Sequence, residues 1–168
     1  MSTSTLIPQL NCTRCHSRFV KRSRRAGLVD QLISVFSVYP FRCQLCGHRF
    51  YHTQKGLTFK RVDNDRREYE RLPVNLNATF TIGTFRGPGV VTDLSMGGCS
   101  FVTESRLEIG SVLRIAVQLP DPLKPVDVDV AIVRSVRANR VGIQFVQIES
   151  DHLDRLQHFI RELISNTP

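Results

Sequence analysis

From residue 72 onward, apolar side chains recur at every second position. Val74, Leu76, Ala78, Phe80 and Ile82 alternate with polar neighbours, the period of a strand with one buried face. Leu113, Ile115, Val117 and Leu119 repeat it, as do Val126, Val128, Val130 and Ile132, then Val141, Ile143 and Phe145. With the shorter runs "GVVTD" and "CSFVTE" this makes about six strands in roughly 80 residues. "FRGPG" and "DPLKP" have the composition of turns. The pattern predicts an all-β barrel or sandwich. The period then changes: Leu153, Leu156, Ile160, Leu163 and Ile164 form a helical stripe, with Ser150 and Asp151 placed to cap its start. Such a helix would plug an open end of the β-structure. Cys99, beside Phe101, is expected to be a small buried hydrophobe.

The first third of the chain has a different pattern. Leu28, Leu32, Val35 and Phe36 follow the i, i+4, i+7, i+8 spacing of a short amphipathic helix, with Pro40 as its outer limit. Its expected role is to pack a small core. The competing role is to dock on a partner or an anionic membrane, helped by the preceding "KRSRR".

Charge sharpens this division. The chain of 168 residues carries a net +8, and residues 1–59 hold nine Lys/Arg against the single acid Asp30, so the whole excess lies there. Such asymmetry points to a polyanion or to a bound metal that alters the charge count. No stretch approaches the roughly 20 apolar residues of a membrane span. The start lacks a basic segment followed by an apolar run, so no secretory leader is expected and a cytoplasmic setting with reduced thiols is.

Four of the five cysteines form two C-x-x-C pairs, Cys12/Cys15 and Cys43/Cys46, the second followed by Gly47. Two such turns complete a tetrahedral sulfur shell suited to Zn²⁺. The 27 residues between Cys15 and Cys43 exceed the usual ribbon spacing, which an insertion accounts for. "CTRCH" also matches covalent haem attachment, but that chemistry needs export and leaves the second pair unexplained. A redox dithiol needs only one pair, and disulfides do not suit a cytosolic chain. Zn²⁺ with four protein ligands has no open position, so the expected role is structural, with His16 and His48 outside the shell. Four thiolates with Zn²⁺ carry −2, which brings the module's charge to about +6. A basic ribbon of this kind can meet nucleic acid through Lys and Arg, although aromatic residues suited to stacking are few.

Between the two patterns lies "RREYER". Arg67 and Arg71 form R-x-x-x-R just before the first strand, with Arg66 beside them. Downstream, "DLSMGG" sets Asp93, Ser95 and Gly98 at a strand-to-strand corner. Asp93 and Ser95, two apart on an extended backbone, point to one face, and Gly98 allows close approach of a ligand or another backbone. Guanidinium groups offer forked donors to phosphate and to guanine O6 and N7. A carboxylate accepts from guanine N1–H and N2–H. A ligand with both phosphates and guanines would use every group in this set.

These motifs, in this order and about 20 residues apart, resemble the PilZ domain, which binds the bacterial messenger cyclic di-GMP. The resemblance spans about residues 63–165 and includes "VGIQF" followed by the closing helix. It implies a six-stranded antiparallel β-barrel with a C-terminal α-helix; it says nothing of residues 1–60, where the cysteine spacing predicts a small zinc-ribbon module containing a short helix. The expected organisation is a basic zinc-ribbon module over 1–58, a flexible linker over 59–71 and the barrel over 72–168. The family's R-x-x-x-R falls on Arg67 and Arg71, and its D-x-S-x-x-G on Asp93, Ser95 and Gly98. Arg66 extends the clamp toward a second, stacked messenger molecule. The resemblance implies a receptor and not an enzyme; because the arginine-bearing linker is also the tether to the zinc module, its ordering around the ligand is expected to re-aim the basic module toward a partner. Two rival classes are a nucleic-acid-binding ribbon and a messenger-independent adaptor. For an enzyme, the five histidines form no evident cluster, and no paired carboxylates or nucleophile–base set stand out.

Overall fold

The computed structural model describes residues 10–23, 27–53 and 68–165. The chain divides into two compact units, Met1–Glu70 and Arg71–Pro168. Arg66, Arg67 and most of the expected linker lie outside the described residues. Among the described residues no helix is long and apolar enough to cross a membrane.

The first unit contains β1 (Val20–Arg22), α1 (Leu28–Ser34), β2 (Val38–Cys43) and β3 (Arg49–Thr53). The strands form an antiparallel sheet in the order β1-β2-β3. Its core is thin: Leu10, Phe41, Leu45 and Phe50 bury themselves beside Cys12 and Cys43. So few apolar groups cannot hold about 50 residues without an added staple.

The expected role of α1 is overturned. Leu28, Val29, Leu32, Val35 and Phe36 are 66–79% exposed. The residue turned inward is Asp30, 1% exposed, which accepts from Arg49 at 2.5 Å and from the Tyr51 hydroxyl at 2.8 Å. A seven-residue helix has one face to give. The charge-assisted pair claims it, because a buried carboxylate without its partner costs several kcal/mol, roughly 3–5.

The second unit contains β4 (Leu72–Ile82), β5 (Phe85–Ser95), β6 (Gly98–Val102), β7 (Val112–Val117), β8 (Val126–Arg137), β9 (Arg140–Gln147) and α2 (Ser150–Ser165). The six strands close into a barrel in the order β4-β5-β6-β9-β8-β7, every pair antiparallel. Closure leaves no free sheet edge. Phe80, Val91, Phe101, Ile115, Val128 and Val133 fill the interior, with the Phe80 and Phe101 rings 5.5 Å apart. Cys99 is fully buried among them, as its strand position implied.

Two readings of the pattern are corrected. "FRGPG" is not a turn; the chain reverses at Gly83–Thr84, and β5 already runs from Phe85. A Cβ on Gly87 would lie 2.6 Å from the Phe80 ring, and one on Gly89 2.7 Å from the Phe101 ring. These glycines make room for aromatic rings, not for a reversal. In β8 the buried positions are Val126, Val128, Ala131 and Val133, not Val130 and Ile132. Leu113 pairs with Ala131 but Ile115 with Val128, so β8 carries one extra residue. That bulge moves the inward phase by one position.

Helix α2 lies against β8 and β4 and buries Leu156, Phe159 and Ile160. His152 Nδ1 accepts from the Asp127 N–H at 2.8 Å, and Arg155 donates to the Pro125 carbonyl at 2.7 Å. Both pin the start of α2 to the start of β8.

Candidate functional site

The two C-x-x-C segments fold as copies of one turn. The Cys12 N–H donates to Ser17 O and the His16 N–H to Cys12 O. The Cys43 N–H donates to His48 O and the Gly47 N–H to Cys43 O. The residue after each second cysteine takes positive φ, His16 at 55° and Gly47 at 69°. His16 thus fills the backbone position that glycine fills in the other turn, which explains "CTRCH" without haem.

The four sulfurs lie within 4.8 Å of one another. Cys12 and Cys46 are 3.6 Å apart, and Cys15 and Cys43 3.5 Å. Both separations are far beyond a disulfide bond of about 2.05 Å. They approach the edge of about 3.8 Å that tetrahedral Zn–S bonds of about 2.3 Å define. Burial pushes the Cys12 thiol up, but the N–H groups of Cys15 and Arg14 outweigh it and leave the thiol below its ordinary value. Four converging soft donors with N–H groups aimed at sulfur fit Zn²⁺, which would cross-link the two turns.

The second cluster is built around Asp93, near the end of β5. Strands β5 and β6 turn at Met96–Gly97, which sets Asp93 opposite Ser100. On the other side, Pro73 of β4 lies opposite Asp93, so Arg71 enters the barrel beside it. Against β6 the extra residue lies in β5, between Val91 and Asp93, and in the β4–β5 pair it lies in β4, between Pro73 and Leu76. A bulge of this kind re-aims a side chain. Arg71 Nη1 donates to Asp93 Oδ1 at 2.8 Å and to Ser100 Oγ at 2.5 Å. Arg140, at the start of β9, donates to Asp93 Oδ2 at 2.6 Å, and the Ser100 N–H donates to Oδ1 at 3.1 Å. Burial pushes the Asp93 carboxyl up, but the Arg71 charge and the bonds from Arg140, Ser100 and Arg71 hold it below the usual carboxylate range.

Ser95 and Gly98 sit in the adjacent turn, and the Ser95 hydroxyl donates to the Gly98 carbonyl at 3.0 Å. Both are buried. A Cβ on Gly98 would fall 2.2 Å from the Ile143 carbonyl, so the approach this glycine permits is that of β9. Arg71 and Asp93 are brought together, while the Ser95 hydroxyl is engaged within its own turn. Sequence reading missed Ser100 and Arg140. A two-residue hairpin at Met96–Gly97 makes Asp93 and Ser100 partners by register alone, so Ser100 was recoverable. Arg140 comes from a distant strand, and no local signal marks it.

The profile of the PilZ domain family matches residues 65–162. No curated protein matches the chain. Among solved structures, the chain is similar to the PilZ domain of YcgR from Escherichia coli, determined with c-di-GMP. The TM-score is 0.52 at 19% identity, covering 60% of this chain and 93% of that one. It is also similar to the inhibitor of motility MotI/DgrA of Bacillus subtilis, with a TM-score of 0.53 at 20% identity over 70% of this chain and 60% of that one. At these identities the likeness is one of fold.

Proposed function

The chain belongs to the PilZ domain family, and from that premise we propose that it is a receptor for cyclic di-GMP and not an enzyme. The observation that carries this reading is the Asp93 carboxylate bracketed by Arg71 and Arg140 at one corner of the barrel. The bracket joins an ionised acceptor for a guanine edge to forked donors for phosphate, the two chemistries the messenger presents.

In this reading Arg67 and Arg71 take the phosphates. Asp93 accepts from guanine N1–H and N2–H, and Ser95 and Gly98, buried in the adjacent turn, serve the site by holding that corner in shape. Arg66 reaches a second molecule when the messenger binds as a stacked pair. A guanine reaching Asp93 has to exchange with one of the two guanidinium groups already there, so binding is a trade of hydrogen bonds and not their first formation. The displaced arginine remains beside the ligand, where its charge faces phosphate.

The output runs through the first module. Cys12, Cys15, Cys43 and Cys46 hold a structural Zn²⁺, and the basic module is the part presented to a partner. Ordering residues 59–71 around the messenger re-aims that module; the ligand shifts this balance by its differential affinity for the two arrangements.

Titration of the purified chain with cyclic di-GMP, followed by calorimetry and small-angle scattering, tests the reading. Saturable binding with a change in scattering profile supports it. A folded chain that releases no heat and shows no protection by the messenger in a melting assay refutes it.

A further inference from the structure

The mechanism above leaves one end of the first unit without a use. β2 runs from Val38 to Cys43, so the cysteine cluster lies at one end of the sheet. α1, joining β1 to β2, lies at the other. There Leu28, Val29, Leu32, Val35 and Phe36 all face outward. This is a contiguous stretch of large apolar side chains on one helix and the turn that follows it.

Its surroundings have one sign of charge. Asp30 is the single acid between residues 10 and 53, and it is buried against Arg49 and Tyr51. Lys21 and Arg22, at the end of β1 from which the chain runs to α1, are half-buried. The Arg22 guanidinium stacks 3.8 Å over the Tyr39 ring at the α1 end of the sheet. The run "KRSRR" ends three residues before Leu28. Apolar side chains and cations are therefore presented together at this end, while the exposed carboxylates among the described residues of the unit, Glu68 and Glu70, lie at the cysteine end, where Glu68 pairs with Arg42 and the Glu70 N–H donates to Gln44.

We propose that this end of the first unit docks on the surface of an anionic lipid bilayer. α1 lies in the interface with Leu28, Leu32, Val35 and Phe36 at the acyl boundary and Lys21 and Arg22 of β1 at the level of the lipid phosphates. Charge complementarity selects this occupant. A nucleic acid offers phosphates but nothing to cover Leu, Val and Phe. A protein groove would need its own acidic rim in register with these cations. A headgroup plane of uniform negative charge over hydrocarbon satisfies both features without register. The inward turn of Asp30 removes the carboxylate that would otherwise oppose insertion. A helix of seven residues, about 10 Å long, cannot span a bilayer, so the contact is interfacial and reversible. The inference goes beyond the messenger reading and does not depend on it.

The test is flotation of the full chain, without messenger, with vesicles of phosphatidylcholine alone and of equal parts phosphatidylcholine and phosphatidylglycerol. Binding to the anionic vesicles is expected to exceed binding to the neutral ones about tenfold or more and to weaken with salt. The double variant Leu32→Ser/Phe36→Ser should lose about tenfold of that binding. Both side chains are exposed, and unchanged zinc content and circular dichroism verify that the variant is folded. Equal binding to both vesicles, no binding to either, or unchanged binding by the folded variant overturns the proposal. So does sedimentation showing that the parent self-associates and the variant does not, since the patch would then be a protein interface.

Discussion

One nitrogen of Arg71 bonds both Asp93, at 2.8 Å, and Ser100, at 2.5 Å, so a single guanidinium ties the start of β4 to β5 and β6. Arg71→Ala removes this fork and, on the proposed reading, a phosphate contact. One charge-assisted contact to phosphate is worth roughly 1.5–3 kcal/mol, so affinity for cyclic di-GMP should fall about tenfold to a hundredfold by calorimetry. Asp93 keeps Arg140 and the Ser100 N–H, so the melting temperature should fall by no more than about 5 °C. Arg71→Lys restores charge but not the fork, and should recover little.

The position of Asp93 also sets a pH dependence. Its carboxyl is held below its ordinary value of 3.8 in the folded chain. The stability it contributes is therefore fully present above the unfolded value and is lost as pH falls through the folded one. Neither barrel stability nor messenger affinity should show a step from Asp93 between about pH 5 and 8. Melting and calorimetry at the two ends of that window check it; a transition near pH 6 in the parent that vanishes in Asp93→Asn would contradict it.

Strand number, the closing helix and the cysteine cluster were legible because each rests on a local period or spacing. The errors arose where a distant group decided a local feature. Gly87 and Gly89 read as turn residues, yet the rings of Phe80 and Phe101 are what require them. The stripe of α1 read as a core face, yet Arg49 and Tyr51, some 20 positions onward, draw Asp30 inward and leave the stripe outside. The extra residue in β8 has no signature in the alternation of Val126 to Ile132 and emerges only from pairing with β7. At the candidate site, the spacing of Arg71 and Asp93 was visible, whereas Arg140 depends on barrel closure through β9.

Gly98 separates a folding role from a binding role. Its absent Cβ would meet the Ile143 carbonyl at 2.2 Å, and Gly98 pairs with Gln144 across β6 and β9. Gly98→Ala must push these strands apart and should cost about 2–4 kcal/mol in urea unfolding, by overpacking against backbone. Ser95→Ala loses one buried hydrogen bond to Gly98 and should cost about 1 kcal/mol. A Gly98→Ala chain as stable as the parent, yet unable to bind the messenger, would move the glycine's role to the ligand.

The five thiols should react in two separate groups. Cys99 lies in the barrel core, where burial pushes its thiol well up and leaves it unreactive. Cys12, Cys15, Cys43 and Cys46 converge within 4.8 Å, and a Zn²⁺ there would hold all four as bound thiolates. The first unit has little core beyond Phe41, Leu45 and Phe50, so its fold should depend on the metal. The barrel has its own core and should not. A strong chelator should therefore release four thiols to a colorimetric thiol reagent, together with proteolytic loss of the first unit. The fifth should appear only when denaturant opens the barrel. Release of all five with chelator alone would mean that the two units unfold as one. Four thiols reactive without chelator in freshly purified, reduced protein would mean that the sulfurs converge on no metal.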